Sequence, residues 1–437
     1  MKKILFVLCL IAPGALLAQM GKAYDTTISG VKVIVQPSGN DIVEIRTIIK
    51  GGVQNYSNGQ SGIEALALTA LTECGTAAMD KNSFKNALDA VSAQVGGWTE
   101  MDFATFRMNC IKSDLMKVWP HYVDALTAPR FDEKEFARIR QDQITQIRSQ
   151  NSQPDGETNR IARQTAFAGT AYAREPMGTE ETVAKLTAAA TRAYYKKLLH
   201  RGRLAIVIVG DVDREEIARA VTGLLAKIPA GSPVQLRKSS FTAAGNSFVP
   251  VKKDLATNYV QGITAGPQPG SPDYDAFVLA MRIFYTRHFV EIRSNNGLSY
   301  APATWFSGGL TPFANLFAST TEPNKYITVA RQLIDKVRRE GFTEEELRNM
   351  KTGYITRTWY RQETNAEQAA SLAQNEAVHG NWKRALTMPQ DMKRVTLTDL
   401  NRVFNKYITN ISWVLQGDPT KADPTLFKQK ETPAKTF

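Results

Sequence analysis

Histidine, the side chain that most often holds a catalytic metal, is scarce in this sequence. The chain has 437 residues and only four histidines: His121, His200, His288 and His379. None of them has a second histidine at the spacing that a metal site on one helix requires. Residues 288–291 supply the first half of a His-x-x-Glu-His arrangement, but Ile292 stands where the second histidine is needed. We therefore expect each histidine to be a surface or core residue and do not expect this chain alone to be a zinc hydrolase.

Cysteine offers little more chemistry. Beyond the first 18 residues the chain keeps Cys74 and Cys110, and neither belongs to a cluster with metal-site spacing. The two thiols are able to pair in an oxidising compartment, or to stay free, and the sequence leaves both alternatives open. Cys74 precedes Gly75 at the predicted end of a helix, and a helix C-terminus does not lower the pKa of a thiol. No nucleophilic cysteine or serine grouping follows from these positions.

The overall charge is basic but dispersed. The formal net charge is +12 at pH 7, and lysine and arginine alternate with acidic residues along the whole sequence. There is no arginine-rich tract and no basic-aromatic motif, so we expect a soluble basic surface and no nucleic-acid partner.

The first 18 residues have the pattern of an export signal. Lys2 and Lys3 precede an apolar run over residues 4–17, and Ala18 supplies a small residue at the cleavage point. The alternative is a membrane anchor, but the run is shorter than the roughly 20 residues needed to span a bilayer. We expect residues 1–18 to be a cleaved signal peptide, the mature chain to be periplasmic, and no later segment to be transmembrane.

The two halves of the chain repeat one another in order. The helix start at 131–136 matches 342–347, the helix end at 194–197 matches 403–406, and the strand at 204–209 matches 411–415. All three offsets are about 210 residues, which predicts a duplicated domain. The boundary falls in a segment rich in proline, glycine and serine near residue 231.

These patterns predict an α+β protein of two homologous domains, each an antiparallel sheet packed with helices on one face. Strands are expected at 31–35, 42–49, 105–109, 204–209, 259–264 and 411–415, and helices at 62–73, 83–92, 132–149 and 343–361. The predicted divisions are 1–18 signal peptide, 22–230 first domain, 231–245 linker and 246–425 second domain. The lysine-, proline- and threonine-rich tail after Asp418 is expected to be frayed.

One segment resembles a known family. A glycine-rich turn at 51–53 leads to residues 62–76, which read Gly-Ile-Glu-Ala-Leu-Ala-Leu-Thr-Ala-Leu-Thr-Glu-Cys-Gly-Thr. This is similar to the insulinase/pitrilysin family of zinc metallopeptidases, the inverzincins related to mitochondrial processing peptidase. In that family the equivalent helix closes in Gly-Thr and carries His-x-x-Glu-His. The resemblance extends to residues 176–180, 210–213 and 293–300, and it implies two homologous domains that form half of a clamshell.

The resemblance also implies that the zinc site is lost. Counted from Gly62, the positions of His, Glu and His are occupied by Ala65, Leu68 and Thr69, and the third ligand position falls near Gln146. The helix is one residue longer than expected before its Gly-Thr end, so the register is open by one position. A shift does not restore the site, because residues 22–120 contain no histidine.

The second half retains a pair of hydrogen-bond donors. In active members of the family, an Arg and a Tyr seven residues apart reach the zinc-bearing domain, hold the substrate backbone and stabilise the oxyanion. Arg293 and Tyr300 have this spacing, and both side chains are suitable donors to a developing negative charge. The alternative is structural, with Arg293 capping a helix C-terminus and Tyr300 packed in a sheet.

The resemblance therefore implies a division of labour between two chains. This chain is expected to be the non-zinc subunit of a heterodimeric metallopeptidase, with no cofactor of its own and with zinc only in the partner subunit. It would bind unfolded peptide and contribute Arg293 and Tyr300 to the partner's active site. The alternative is a catalytically inert peptide-binding or scaffold protein of the same fold.

Overall fold

The computed structural model describes residues 22–430. The predicted signal peptide at 1–18 lies outside this range. Within it, no helix is both long enough and apolar enough to cross a bilayer.

The described part of the first half contains six strands and eight α-helices. The strands are β1 (Tyr24–Ile28), β2 (Val31–Pro37), β3 (Ile42–Lys50), β4 (Gln94–Thr99), β5 (Phe103–Ile111) and β6 (Leu204–Gly210). The α-helices are α1 (Ile63–Glu73), α2 (Lys81–Asp89), α3 (Leu115–Thr127), α4 (Glu133–Asn151), α5 (Pro154–Ala166), α6 (Glu180–Ala184), α7 (Ala188–Leu198) and α8 (Arg214–Ala226).

The second half follows the same plan. Its strands are β7 (Ser247–Lys252), β8 (Asn258–Ala265), β9 (Ala303–Ser307), β10 (Phe313–Thr320) and β11 (Ser412–Gly417). Its α-helices are α9 (Tyr274–Phe289), α10 (Pro323–Glu340), α11 (Glu344–Tyr360), α12 (Asn365–Gln374), α13 (Arg384–Arg394), α14 (Leu397–Tyr407) and α15 (Pro424–Lys428). Two π-helical segments, Val290–Asn295 and Asn375–His379, extend α9 and α12.

The sheets confirm the duplication. Their strand orders are β1-β2-β6-β3-β5-β4 and β7-β11-β8-β10-β9, and without the extra edge strand β1 the two orders are the same. Both sheets differ from the expected purely antiparallel arrangement in one place, because β2 pairs with β6 and β7 pairs with β11 in parallel. Each of these pairs joins strands that are far apart in sequence, so a long crossover replaces the hairpin that antiparallel neighbours use.

Each sheet is covered on both faces, which corrects the expectation of helices on one face only. Every residue of β6 is buried, as its uninterrupted apolar sequence requires. Helix α12 comes from the second half and packs on β3 and β6 of the first sheet, while α5 comes from the first half and packs on β8 and β11 of the second. Leu372 and Trp382 share one apolar cluster with Ile34 and Val207. This reciprocal exchange joins the two halves through apolar cores.

The segment between the halves lies along both of them. Residues 231–245 have no helix or strand. Arg237 exchanges two backbone hydrogen bonds with the side chain of Gln54, at 2.9 and 3.0 Å. Phe241 is buried with its ring centroid 6.0 Å from that of Phe167.

The described part of the tail, residues 419–430, contains helical turns, so the prediction of a frayed tail after Asp418 is wrong for this part. Helix α15 follows β11, and the side chain of Phe427 is fully buried. Its ring stacks on Phe248 with a centroid distance of 4.2 Å and meets Trp413 edge-on. One aromatic side chain in a polar segment is enough to hold this turn against the second domain, because burying a ring of that size is worth about 2 kcal/mol.

Candidate functional site

Helix α1 occupies the place where the sequence resemblance puts a zinc-binding helix. It starts at Gly62, whose φ of +93° is unfavourable for residues with a side chain, and it packs on the edge strand β4. Ala65 and Leu68 are buried, and Thr69 is partly exposed. Methyl groups and one hydroxyl do not provide the nitrogen and carboxylate ligands that zinc takes from proteins.

The predicted third ligand position points away from α1. Gln146 is exposed on α4, whereas Gln143, one turn earlier, is buried and faces the start of α1. The Gln143 side-chain amide donates to the carbonyl oxygens of Met177 at 2.7 Å and Gly62 at 3.2 Å. This amide serves to fix the beginning of α1.

No metal site is found elsewhere in the described part of the chain. Residues 22–430 contain no group of three His, Cys, Asp or Glu side chains placed to hold an ion. Cys74 and Cys110 are both buried and free. Burial raises the pKa of the Cys74 thiol to about 12 and that of Cys110 to about 11, so both thiols stay protonated and unreactive at neutral pH.

A buried carboxylate in the first turn of α1 was not anticipated from the sequence. Glu64 is fully buried and accepts hydrogen bonds from Thr99 at 2.8 Å, from Asn55 at 2.9 Å and from the Tyr194 hydroxyl. Burial raises the pKa of Glu64, and the three hydrogen bonds partly offset this effect. An acid in the apolar first turn of α1 was the only signal in the sequence. It did not reveal the partners, which come from other segments.

Arg293 lies in the π-helical segment that extends α9. Such segments are rare and often occur at functional sites. The amide of Gly297 donates to the Arg293 carbonyl at 3.1 Å, and that of Leu298 donates to Ile292 at 2.9 Å. These bonds close the helix and turn the chain outward toward Tyr300.

The side chains of Arg293 and Tyr300 lie together on the surface. The guanidinium carbon of Arg293 is 4.2 Å from the centroid of the Tyr300 ring and 5.1 Å from that of Phe289. Tyr300 belongs to no strand and is 78% exposed. Within residues 22–430 no carboxylate pairs with Arg293, so its N–H groups are available to a ligand. The structure thus brings the two predicted residues together, but far from the positions Ala65, Leu68 and Thr69 in sequence and in a different half.

Two of the four histidines, His288 and His379, are packing residues. His288 is fully buried, with Nε2 3.3 Å from the Tyr326 hydroxyl. Burial lowers the pKa of His288 to about 3 and that of His379 to about 4. Both rings are therefore neutral at neutral pH.

Two adjoining cavities, together called the groove here, lie at the boundary between the halves and within the second half. One cavity of about 330 Å³ lies between the first sheet and helices α11 and α12, and a second of about 580 Å³ lies between α9, α11 and β9. Both are lined by Arg282 and Arg357, so they meet at these two side chains. Strands β4 and β9 are the outer strands of their sheets on this side.

A protein-family model agrees with this geometry. Residues 185–354 match the family described as "Peptidase M16 inactive domain", and the matched segment includes Arg293 and Tyr300. M16 is the family designation of the insulinase/pitrilysin peptidases. This part of the chain is therefore similar to the M16 peptidases.

Two relatives carry contrasting names. An uncharacterized zinc protease of Streptomyces coelicolor is 24% identical over 295 residues, which is 62% of this chain and 62% of that protein. The chain thus aligns with less than two thirds of that relative's length. A protein of Helicobacter pylori named "Non-peptidase homolog YmxG" is 20% identical over 73% of this chain and 76% of its own length.

Solved structures confirm the fold. A peptidase M16 inactive domain from Pseudomonas fluorescens superposes with a TM-score of 0.81 at 18% identity, over 95% of this chain and all of that one. The periplasmic protease PqqL from Escherichia coli superposes with a TM-score of 0.78 at 18% identity, over 95% of this chain and 49% of that one. Both confirm the duplicated α+β arrangement.

Proposed function

We propose that this chain is the non-zinc subunit of a two-chain periplasmic metallopeptidase. In this proposal it binds an extended peptide and contributes Arg293 and Tyr300 to the active site of a zinc-bearing sibling. The observation that carries the proposal is the exposed Arg293–Tyr300 pair, held on the surface of a chain whose own zinc positions are Ala65, Leu68 and Thr69.

The pair has the properties that a transition-state donor needs. Peptide hydrolysis develops negative charge on the scissile carbonyl oxygen, and fixed donors aimed at that charge are an important source of catalysis. Stacking between Phe289 and Tyr300 restricts the Arg293 side chain while leaving its N–H groups in the guanidinium plane. The exposed Tyr300 hydroxyl supplies another donor.

The groove supports binding of an extended peptide. Strand β4 pairs only with β5, and β9 pairs only with β10. The outer edge of each strand presents backbone N–H and C=O groups, which an incoming peptide can use by adding a strand to the sheet. This mode recognises backbone and suits an unfolded substrate of variable sequence.

A periplasmic location is supported by two observations. Residues 1–18 have the pattern of an export signal. The structural neighbour from Escherichia coli is a periplasmic protease.

A second candidate is an inert scaffold or peptide-binding protein of the same fold. The absence of a metal-binding cluster within residues 22–430 is equally compatible with it, and the Helicobacter pylori relative is named a non-peptidase homologue. In that case Arg293 and Tyr300 would be dispensable.

The experiment that separates these candidates is affinity capture of the mature chain from its native periplasm. The captured material and the purified chain are each analysed for zinc, assayed with a quenched fluorescent peptide, and identified by mass spectrometry. We expect the purified chain to be free of zinc and inert. We expect the captured complex to contain an M16 sibling with an intact His-x-x-Glu-His motif and to cleave the peptide.

Two results would contradict the proposal. Capture of no zinc-bearing sibling, with no cleavage, would favour the scaffold. Zinc-dependent cleavage by the purified chain itself would show that the chain is a peptidase without a partner.

A further inference from the structure

The cavity of about 330 Å³ between the first sheet and α11 has an unusual concentration of positive charge. Its lining includes four guanidinium groups, those of Arg46, Arg282, Arg357 and Arg361. Only Arg46 is neutralised, by an ion pair of 2.8 Å with the buried Glu44, and it also donates to the Ala366 carbonyl. The other three arginines are the basis of the inference.

These three arginines have no anionic partner within residues 22–430. Arg282, Arg357 and Arg361 form no ion pair there. Two exposed carboxylates, Glu100 and Glu367, also line the cavity, but Glu100 accepts a hydrogen bond from the Trp98 indole at 3.0 Å instead. The cavity therefore carries more positive charge than its own acids balance.

Arg282 is held in place at the inner end of this group. Its guanidinium carbon lies 4.8 Å from the centroid of the Tyr354 ring, and the side chain is partly buried. Burial, and then the charges of Arg357 and Arg361, lower the pKa of Arg282. A guanidinium fixed against an aromatic ring loses little freedom when it binds a carboxylate, and it can offer two parallel N–H bonds.

The structure assigns to this cavity the role of a carboxylate pocket for the bound peptide. This inference rests on the proposed function, because the ligand is a peptide in the groove. It adds a substrate class, namely peptides that present a carboxylate from an acidic side chain or from the C-terminus. The volume is at the lower end of the range for ligand pockets. It suits one side chain and its neighbour, and Trp98, Phe103 and Met388 provide apolar walls.

The position of the pocket also predicts the distance between the recognised carboxylate and the peptide bond that Arg293 holds. Arg282 and Arg293 lie eleven positions apart on one face of the helix formed by α9 and its extension, connected by the contacts of Phe289 with Tyr285 and with Arg293. At about 1.5 Å per residue in α9 and somewhat less in the π-helical extension, this is on the order of 15 Å. An extended peptide covers that distance in roughly five residues. We expect the preferred carboxylate about five positions from the peptide bond that Arg293 holds.

The test uses the purified full-length mature chain and three fluorescent peptides of one sequence. The first has a single glutamate and an amidated C-terminus, the second has glutamine and an amidated C-terminus, and the third has glutamine and a free C-terminal carboxylate. Binding is measured by fluorescence anisotropy at low and high salt. We expect the first or the third peptide to bind about tenfold more tightly than the second, because hydrogen bonds to charged groups contribute at least that much. The advantage should shrink at high salt.

Variants of the cavity arginines test whether the preference for a carboxylate arises in this cavity. Arg282→Met keeps an apolar stem against Tyr354 and removes the charge, and we expect it to abolish the tighter binding of the carboxylate peptides relative to the uncharged peptide. The matched control is Arg219→Met, which removes an exposed arginine on α8 and should leave the preference intact. If Arg282→Met does not fold, the double variant Arg357→Met, Arg361→Met removes two exposed charges from the same cavity and should weaken the preference.

The outcomes separate this inference from the proposed function. Equal binding of all three peptides to the wild-type chain would overturn the carboxylate pocket while leaving peptide binding in place. An unchanged preference in the arginine variants would also overturn it. Failure of every peptide to bind would contradict the peptide-binding role itself, and the pocket with it.

Discussion

Helices α1 and α9 occupy equivalent places in the two halves, and their differences explain what each half can do. Each follows an inner strand of its sheet and packs on the edge strand, β4 or β9. Helix α1 is enclosed, and Ala65 and Leu68, which the sequence resemblance aligns with the zinc motif, are buried apolar side chains. Helix α9 continues into a π-helical segment that turns Arg293 and Tyr300 outward. The same topology therefore supports a closed structural helix in one half and an exposed donor pair in the other.

The carboxylates at the start of the two helices differ in a related way. Glu64 accepts hydrogen bonds only from neutral groups, and burial raises its pKa. Asp273 precedes α9, where burial also raises its pKa, but hydrogen bonds from Lys406, Arg402 and Tyr407 outweigh burial and lower it to about 2. The first half is stabilised by an enclosed hydrogen-bond network, and the second by a cluster of cations around one acid.

The largest loss of folding stability is expected from Glu64→Ala. The change leaves the donors on Asn55, Thr99 and Tyr194 without their acceptor in a buried site. We expect the free energy of unfolding to fall by about 3 kcal/mol, as urea denaturation followed by circular dichroism would measure. Glu215→Ala, which removes an exposed acid from α8, is the control and should change it by less than about 0.5 kcal/mol. A loss of similar size in both variants would mean that the Glu64 network does not stabilise α1.

The pH dependence of Glu64 has a definite sign. Because its pKa is raised in the folded chain, its contribution is most favourable below its ordinary pKa of 4.5 and declines as pH rises through the folded value. The loss caused by Glu64→Ala should therefore be greater at pH 4 than at neutral pH.

Asp273→Asn should lower the free energy of unfolding by a smaller amount than Glu64→Ala, and with the opposite pH dependence. Its lowered pKa means that Asp273 stabilises the chain above pH 3.8 and that this contribution is lost as pH falls toward about 2. Because Arg402 and Lys406 are partly exposed, we expect Asp273→Asn to lower the free energy of unfolding by about 1 kcal/mol at neutral pH. Unfolding curves for the variant and the wild type should converge near pH 2.

The matched control for this variant is Asp213→Asn at the N-cap of α8, where Asn also caps well. A constant difference between Asp273→Asn and wild type from pH 7 to pH 2 would rule out the cation cluster as the source of stability.

The smallest change in folding stability is expected when Arg293 or Tyr300 is substituted. Arg293→Met and Tyr300→Phe remove donors from a surface where they stabilise little, so each should change the free energy of unfolding by less than about 0.5 kcal/mol. Calorimetric melting of the purified variants would measure this. A large loss in either would identify the pair as structural and remove the main support for the proposed function.

The sequence predicted local structure well because local patterns determine it. The continuous apolar run at 204–209 could only be a buried strand, and the spacing of the repeats predicted the duplication. The exchange of α5 and α12 was not predictable, because the pattern shows that a face is apolar but not which half will cover it. The same limit applies to Glu64 and to Phe427, whose partners are brought close only by the fold. Arg282 comes from α9, and Arg357 and Arg361 come from the C-terminal end of α11. Their spacing in the sequence did not indicate that they lie together.

The most direct test of the central claim is the turnover of the two-chain complex with and without the Arg293 guanidinium. The zinc-bearing sibling is combined with wild-type chain, with Arg293→Met or with the control Arg219→Met, and cleavage of a quenched fluorescent peptide is followed after complex formation has been verified by gel filtration. We expect Arg293→Met to assemble normally and to lower the turnover number roughly a hundredfold, as the loss of an oxyanion donor does, while the control cleaves at the wild-type rate. Wild-type turnover in the Arg293→Met complex would contradict the claim that this chain contributes to its partner's active site.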